Sequence, residues 1–130
     1  MIIDFGSGIG TWLYDRDSWY KLNNNSPLDI RAVKFASGGI NEELVCSFAE
    51  ISGLWKWSYN LYPGTWTLIN SITPETDNGF CEPFDPDLDG WDEVAVDFGT
   101  LGLWLWEYYN RTWTKLNSHN PEFMVRADYW

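Results

Sequence analysis

A chain of 130 residues has room for one domain, and 45% hydrophobic residues give it a core to bury, which argues against disorder. A formal charge of −11 argues against nucleic acid and anionic membrane surfaces, both of which select basic proteins, and suits a soluble protein, a cation binder or a neutral ligand such as a carbohydrate. Ten Trp and an aromatic fraction of 18% exceed what one small core needs, so the rings either pack a repetitive core or serve a ligand.

Taken in chain order, the apolar runs are short and alternate with turn residues. "MIIDF" (1–5) is β-branched and stops at a glycine-rich turn. "TWLY" (11–14) and "SWYKL" (18–22) follow, separated by the hairpin signal "DRD", and "IRAVKF" (30–35) comes after an Asn-rich turn. The same series recurs as "LVCSF" (44–48), "LWKW" (54–57), "TWTLI" (65–69) and "GFCEPF" (79–84). It recurs again as "VAVDF" (94–98), "LWLW" (103–106), "TWTKL" (112–116) and "MVRADYW" (124–130). Within the second run of each series the rings fall two apart, so Trp12 and Tyr14, Trp55 and Trp57, and Trp104 and Trp106 each share a strand face. No run holds a helical period, and the chain reads as all-β.

Anchors align across three repeats, about 1–41, 42–91 and 92–130. Asp4, Ser47 and Asp97 correspond, each followed by Phe. Gly10, Gly53 and Gly102 correspond, then Trp12, Trp55 and Trp104, then Trp19, Trp66 and Trp113, then Pro27, Pro74 and Pro121. Three four-stranded repeats fit two architectures: a single-domain β-trefoil, favoured by length, or blades of a β-propeller, favoured by motif content.

The motif is "FDPDLDGWDEVAVDFG" (84–99), which resembles FG-GAP and VCBS-type β-propeller repeats. The resemblance covers all three repeats as strand pattern and the Asp-rich loop once; the matching turn "ASGGINEEL" in the first repeat has no Asp. It implies four-stranded blades, with the loop joining a first strand to a second. On that reading the chain opens on a second strand and closes on a first, offset by one strand from whole blades. Three blades are fewer than the four to eight of a usual ring. The expectation is a homodimer forming a six-bladed ring, each final strand completing the partner's first blade.

Asp85, Asp87 and Asp89 stand at positions 1, 3 and 5 of the loop, with Gly90 at the bend. Trp91 would offer a backbone carbonyl and Glu93 a carboxylate. Alternating hard oxygens on a tight loop suit calcium in a structural role. The loop is not an EF-hand, since Val96 stands where that motif has Glu and no helix flanks it. The competing reading is a solvated acidic hairpin turn.

The six recurrent Trp read as core. Trp57, Trp91 and Trp106 are less regular, and Tyr59, Tyr62, Tyr108 and Tyr109 lie in or beside turns. Trp57, Trp106, Tyr59, Tyr108 and Tyr109 are therefore the candidates for stacking on sugar rings. Catalytic signals are poor: His119 is the only histidine, in a polar turn, and no nucleophile motif or phosphate loop occurs. The expected function is a non-catalytic binding or structural module, with a lectin-like module as the alternative and a glycan or protein as the ligand. Cys46 and Cys81 read as two buried thiols, a disulfide being the alternative. Neither a signal peptide nor a membrane-spanning run is visible.

Overall fold

A computed structural model describes residues 1–35, 43–59, 64–75 and 80–126. Its eleven strands are β1 (Ile2–Asp4), β2 (Thr11–Asp15), β3 (Ser18–Asn23), β4 (Pro27–Val33), β5 (Glu43–Phe48), β6 (Leu54–Ser58), β7 (Thr65–Asn70), β8 (Cys81–Phe84), β9 (Glu93–Asp97), β10 (Leu103–Glu107) and β11 (Thr112–Asn117). One short 3-10 turn, Gly99–Leu101, is the only helical element among the described residues, and no helix is long and apolar enough to cross a membrane.

The strands form three antiparallel meanders, none of them closed. They run β1-β2-β3, β4-β5-β6-β7 and β8-β9-β10-β11. No described strand pairs outside its own sheet, whereas the repeats of a trefoil share strands in one closed unit. Eleven of the twelve runs read from sequence become strands. The exception is the last: residues 124–126 carry no strand, and 127–130 lie outside the described residues. The turn "ASGGINEEL" and Tyr62 also fall wholly or largely outside them.

The repeat is exact at the level of backbone chemistry. Each sheet has a register slip just before its recurrent Trp: between Thr11 and Trp12, Leu54 and Trp55, and Leu103 and Trp104. The residue before each bulged pair is glycine with φ +88, +102 and +88 for Gly10, Gly53 and Gly102. A Cβ there would lie 2.2, 2.5 and 2.3 Å from the carbonyl oxygens of Asn23, Asn70 and Asn117, so glycine is required by space as well as by backbone angle. The indole N–H of each Trp then donates three residues back, to Ile9 O (3.1 Å), Ser52 O (3.1 Å) and Leu101 O (3.0 Å). Each of the three Asn side chains accepts from the amide two residues on: Asn25, Ile72 and His119, at 2.9, 3.0 and 3.0 Å. A Phe–Trp ring pair closes every repeat: Phe5–Trp19, Phe48–Trp66 and Phe98–Trp113, with centroids 5.6, 5.1 and 5.4 Å apart.

Two core clusters glue the sheets in sequence. Leu22, Leu44 and Trp57, with Ile2, Leu13, Ile30 and Trp66, lie between the first and second sheets. A larger cluster, including Val33, Phe35, Val45, Leu54, Val94, Val96 and Trp106, lies between the second and third. Strand β5, central in the second sheet, is buried along its whole length, and β9 of the third sheet is buried from Val94 to Asp97. Cys46 and Cys81 are free and buried, so the pair is two thiols and not a disulfide. Burial pushes both thiols well up, with Asp29 adding to the effect, and leaves them unreactive.

The bulge glycines give a direct test. Gly6, at φ +87 with open space around its Cβ position, should lose about 1–2 kcal/mol on Gly6→Ala from backbone strain alone. Gly102→Ala adds an overlap with backbone and should lose at least ~3 kcal/mol. Urea unfolding of the two variants measures the difference; equal losses would mean that the bulge contact does not hold the sheets.

Candidate metal centre

The loop between β8 and β9 gathers the acidic groups through its own backbone. Leu88 and Gly90 take positive φ of 61° and 92°, which coils residues 85–91 tightly enough for side chains to turn inward. Asp85 accepts from the Asp89 amide through Oδ1 (3.1 Å) and from the Gly90 amide through Oδ2 (2.8 Å). Asp87 Oδ1 also accepts from the Asp89 amide (3.3 Å), and Asp89 Oδ1 accepts from the Trp91 amide (2.9 Å). One carboxylate oxygen from each of Asp85, Asp87 and Asp89 then falls within 4.8 Å of the others, a group able to hold a metal ion. Each oxygen keeps a second lone pair for a cation. The donor set is all oxygen, which fits a hard cation and not zinc or copper.

Glu93, the first residue of β9, completes the acidic field. Its Oε2 is buried and has no hydrogen-bond partner. Its carboxyl is raised from 4.5 to about 7, first by burial and then by the charges of Asp87, Asp89 and Asp85. The equivalent position of the second sheet is Glu43, five per cent exposed, whose carboxylate is answered by Lys56 Nζ at 3.1 and 3.3 Å. In the third sheet the place of Lys56 is taken by Leu105, so no side-chain cation answers Glu93 there. Asp92, next to the loop, instead ties it to the second sheet: its Oδ2 accepts from the Lys34 amide and its own amide donates to Lys34 O, both at 2.8 Å. Trp91 is half-buried, with Lys34 Nζ 5.1 Å from its ring centroid.

The aromatic candidates separate. Trp57 and Trp106 are 3% and 6% exposed and belong to the two cores, so they present no stacking face. Of the six Trp expected in the core none is fully buried: Trp19 is 47% exposed, and Trp12, Trp55, Trp66, Trp104 and Trp113 are half-buried. Trp19 shares a sheet face with Tyr14, as the alternation requires; which sheet covers which face depends on the neighbour, and that is not written in any one strand. Tyr59 and Tyr109 are exposed, Tyr109 at 84%. Tyr108 is half-buried, stacked on Phe35 at 4.9 Å with Lys56 Nζ 4.4 Å from its ring centroid. It lines a cleft of about 300 Å³ between the second and third sheets with Lys56, Trp106, Arg111 and Trp113. A neighbouring cleft of about 310 Å³, lined by Phe98, Trp104, Trp113 and Lys115 among others, was not foreseen, because it arises only where two sheets splay apart. His119 is exposed and bonds only to Asn117 in its own turn. Asp4 and Asp97 are turn residues, accepting from the Gly6 amide (3.0 Å) and the Gly99 amide (2.8 Å).

Compared with family models, curated proteins and solved structures, the chain matches none.

Glu93 sets a pH dependence with a definite sign. Its folded pKa of about 7 lies above the ordinary 4.5, so the folded state holds this proton more tightly than the unfolded chain. The contribution to stability is complete below pH 4.5 and is lost as pH rises to about 7. In chelator, the thermal midpoint should therefore carry a downward slope over this window that Glu93→Gln removes. An unchanged slope in the variant would place the buried oxygen in contact with water.

Proposed function

We propose that this chain is a non-catalytic, propeller-type structural or binding module whose third sheet is pinned by one calcium ion. The observation carrying it is the unanswered Glu93 oxygen beside three converging aspartates, on a scaffold that supplies a lysine at the equivalent position one sheet earlier. Four carboxylates at close range repel one another, and a divalent cation relieves that repulsion. Asp85, Asp87, Asp89 and Glu93 would hold the ion by side chains and Trp91 by its carbonyl. The ion ties β8 to β9 and, through Asp92 and Lys34, the third sheet to the second. The strand pattern of the FG-GAP and VCBS-type resemblance and the three separate meanders, of three, four and four strands, support blades as the architecture.

A carbohydrate-binding reading has its own support in the clefts between the second and third sheets. Tyr108 and Trp113 line one of them together with Arg111, whose guanidinium offers donors. The exposed Tyr109 and Tyr59 remain outside that cleft's lining. A glycan array with the parent and Tyr108→Ala separates the readings: binding lost in the variant favours the lectin, and silence throughout favours the structural module.

Calcium should raise the thermal midpoint of the parent and give a single-site calorimetric isotherm. Asp87→Ala should weaken binding by at least tenfold, on the order of 1.4 kcal/mol, while leaving the chelator-treated protein no less stable. Absence of heat and of a midpoint shift in the parent ends the calcium reading.

A further inference from the structure

The sheets contact one another by a repeated rule. Each has an aromatic face and a plainer face, and the aromatic face of one sheet lies on the plainer face of the sheet before it. Trp57 and Trp66 of the second sheet pack on Ile2, Leu13 and Leu22 of the first, and the Trp66 indole donates to Leu22 O at 2.9 Å. Trp106 and Trp113 of the third sheet join the cluster built on Val33, Val45 and Leu54 of the second, with Ile69 packed against it. Among the described residues, two surfaces built to the same rule have no neighbouring sheet. One is the aromatic face of the first sheet, Trp12, Tyr14 and Trp19 with Phe5. The other is the plainer face of the third sheet, Leu103, Leu105 and Leu116.

Equivalent residues show what those surfaces lack. Phe5 is 46% exposed, while its counterparts Phe48 and Phe98 are 1% and 7%. Leu116 is 47% exposed, while its counterpart Leu22 is 8% and Ile69 is half-buried. The two bare surfaces are thus the two halves of a contact the chain already makes twice. We infer that a second copy of this chain covers both, the first sheet of each copy seating its aromatic face on the third sheet of the other. Both contacts are head-to-tail, and a two-fold axis closes them into a ring of six sheets with no surface left over. The closed ring rests on the propeller reading; the metal site does not enter it.

Multi-angle light scattering of the 130-residue chain, in chelator so that the metal plays no part, is expected to show a particle of two chains. Trp19→Glu and Leu116→Glu should each run as monomers, with circular dichroism confirming that they fold. Mixed in equal amounts, these two variants should form a dimer again, because one contact is then wild type on both sides and the other carries both substitutions. Phe5→Glu repeats the first-sheet arm should Trp19→Glu fail to fold. A monomeric parent, an open-ended polymer, variants that stay dimeric, or a mixture that stays monomeric would each overturn the inference. Calcium calorimetry on the monomeric variants reads the metal site separately, so loss of the ring and loss of the calcium reading are told apart.

Discussion

The contact on which the fold depends is the seating of one sheet's indole rings on the aliphatic face of the sheet before it. A three- or four-stranded meander cannot bury both faces alone, and its few residues have no interior of their own. Each sheet here borrows half a core from its neighbour. The bulge before Trp12, Trp55 and Trp104 turns each strand sharply at its start and lets the indole N–H find a carbonyl in its own turn. With the polar end of the ring satisfied locally, the rest of the ring is free to lie at the sheet boundary.

Polar groups inside these boundaries are handled differently in each. Between the second and third sheets, Glu43 and Lys56 form a buried pair, capped by the ring and hydroxyl of Tyr108 from the third sheet. Taking both charges out of water is expensive, so the pair specifies register more than it stabilises. In the third sheet the lysine is gone and the glutamate remains. A carboxyl left in that position must hold a proton, admit water or meet a cation, and the Asp-rich loop stands directly beside it. The loop and Glu93 belong to one electrostatic problem, although they lie on different elements.

Much of the fold was legible in the sequence because its punctuation is chemical. Glycine before a bulged Trp, Asn at the end of the third strand, and Pro a few residues on are each required by a backbone angle or an amide to be satisfied, so they recur in register and betray the repeat. The Asp85, Asp87 and Asp89 cluster was legible for the same reason, since alternation on a tight loop leaves few other arrangements. Solvent exposure of the rings was not. Trp66 and Trp19 are equivalent residues of the repeat, yet Trp66 is half-buried against the preceding sheet and Trp19 is 47% exposed. The clefts beside Tyr108 and Trp113 were hidden too, because they belong to the gap between sheets and to no single strand.

The middle repeat shows how far the pattern tolerates substitution. In the first repeat Asp4 accepts from the Gly6 amide and from Ser26, the residue before Pro27. In the third, Asp97 accepts from the Gly99 amide, and Asn120, the residue before Pro121, donates to both its oxygens at 2.9 Å in the amide orientation its neighbours require. In the second, Ser47 replaces the aspartate, its hydroxyl is buried without a partner, and Thr73, before Pro74, instead accepts from the Gly53 amide at 3.0 Å. The Gly10 and Gly102 amides have no need of that hydroxyl, since each closes onto a carbonyl in its own turn, Gly6 O and Gly99 O. The pre-proline residue therefore latches the turn in all three repeats, but through whichever group that turn leaves unsatisfied. The latch follows from the need to pair every buried amide, and identity of side chain is secondary to it.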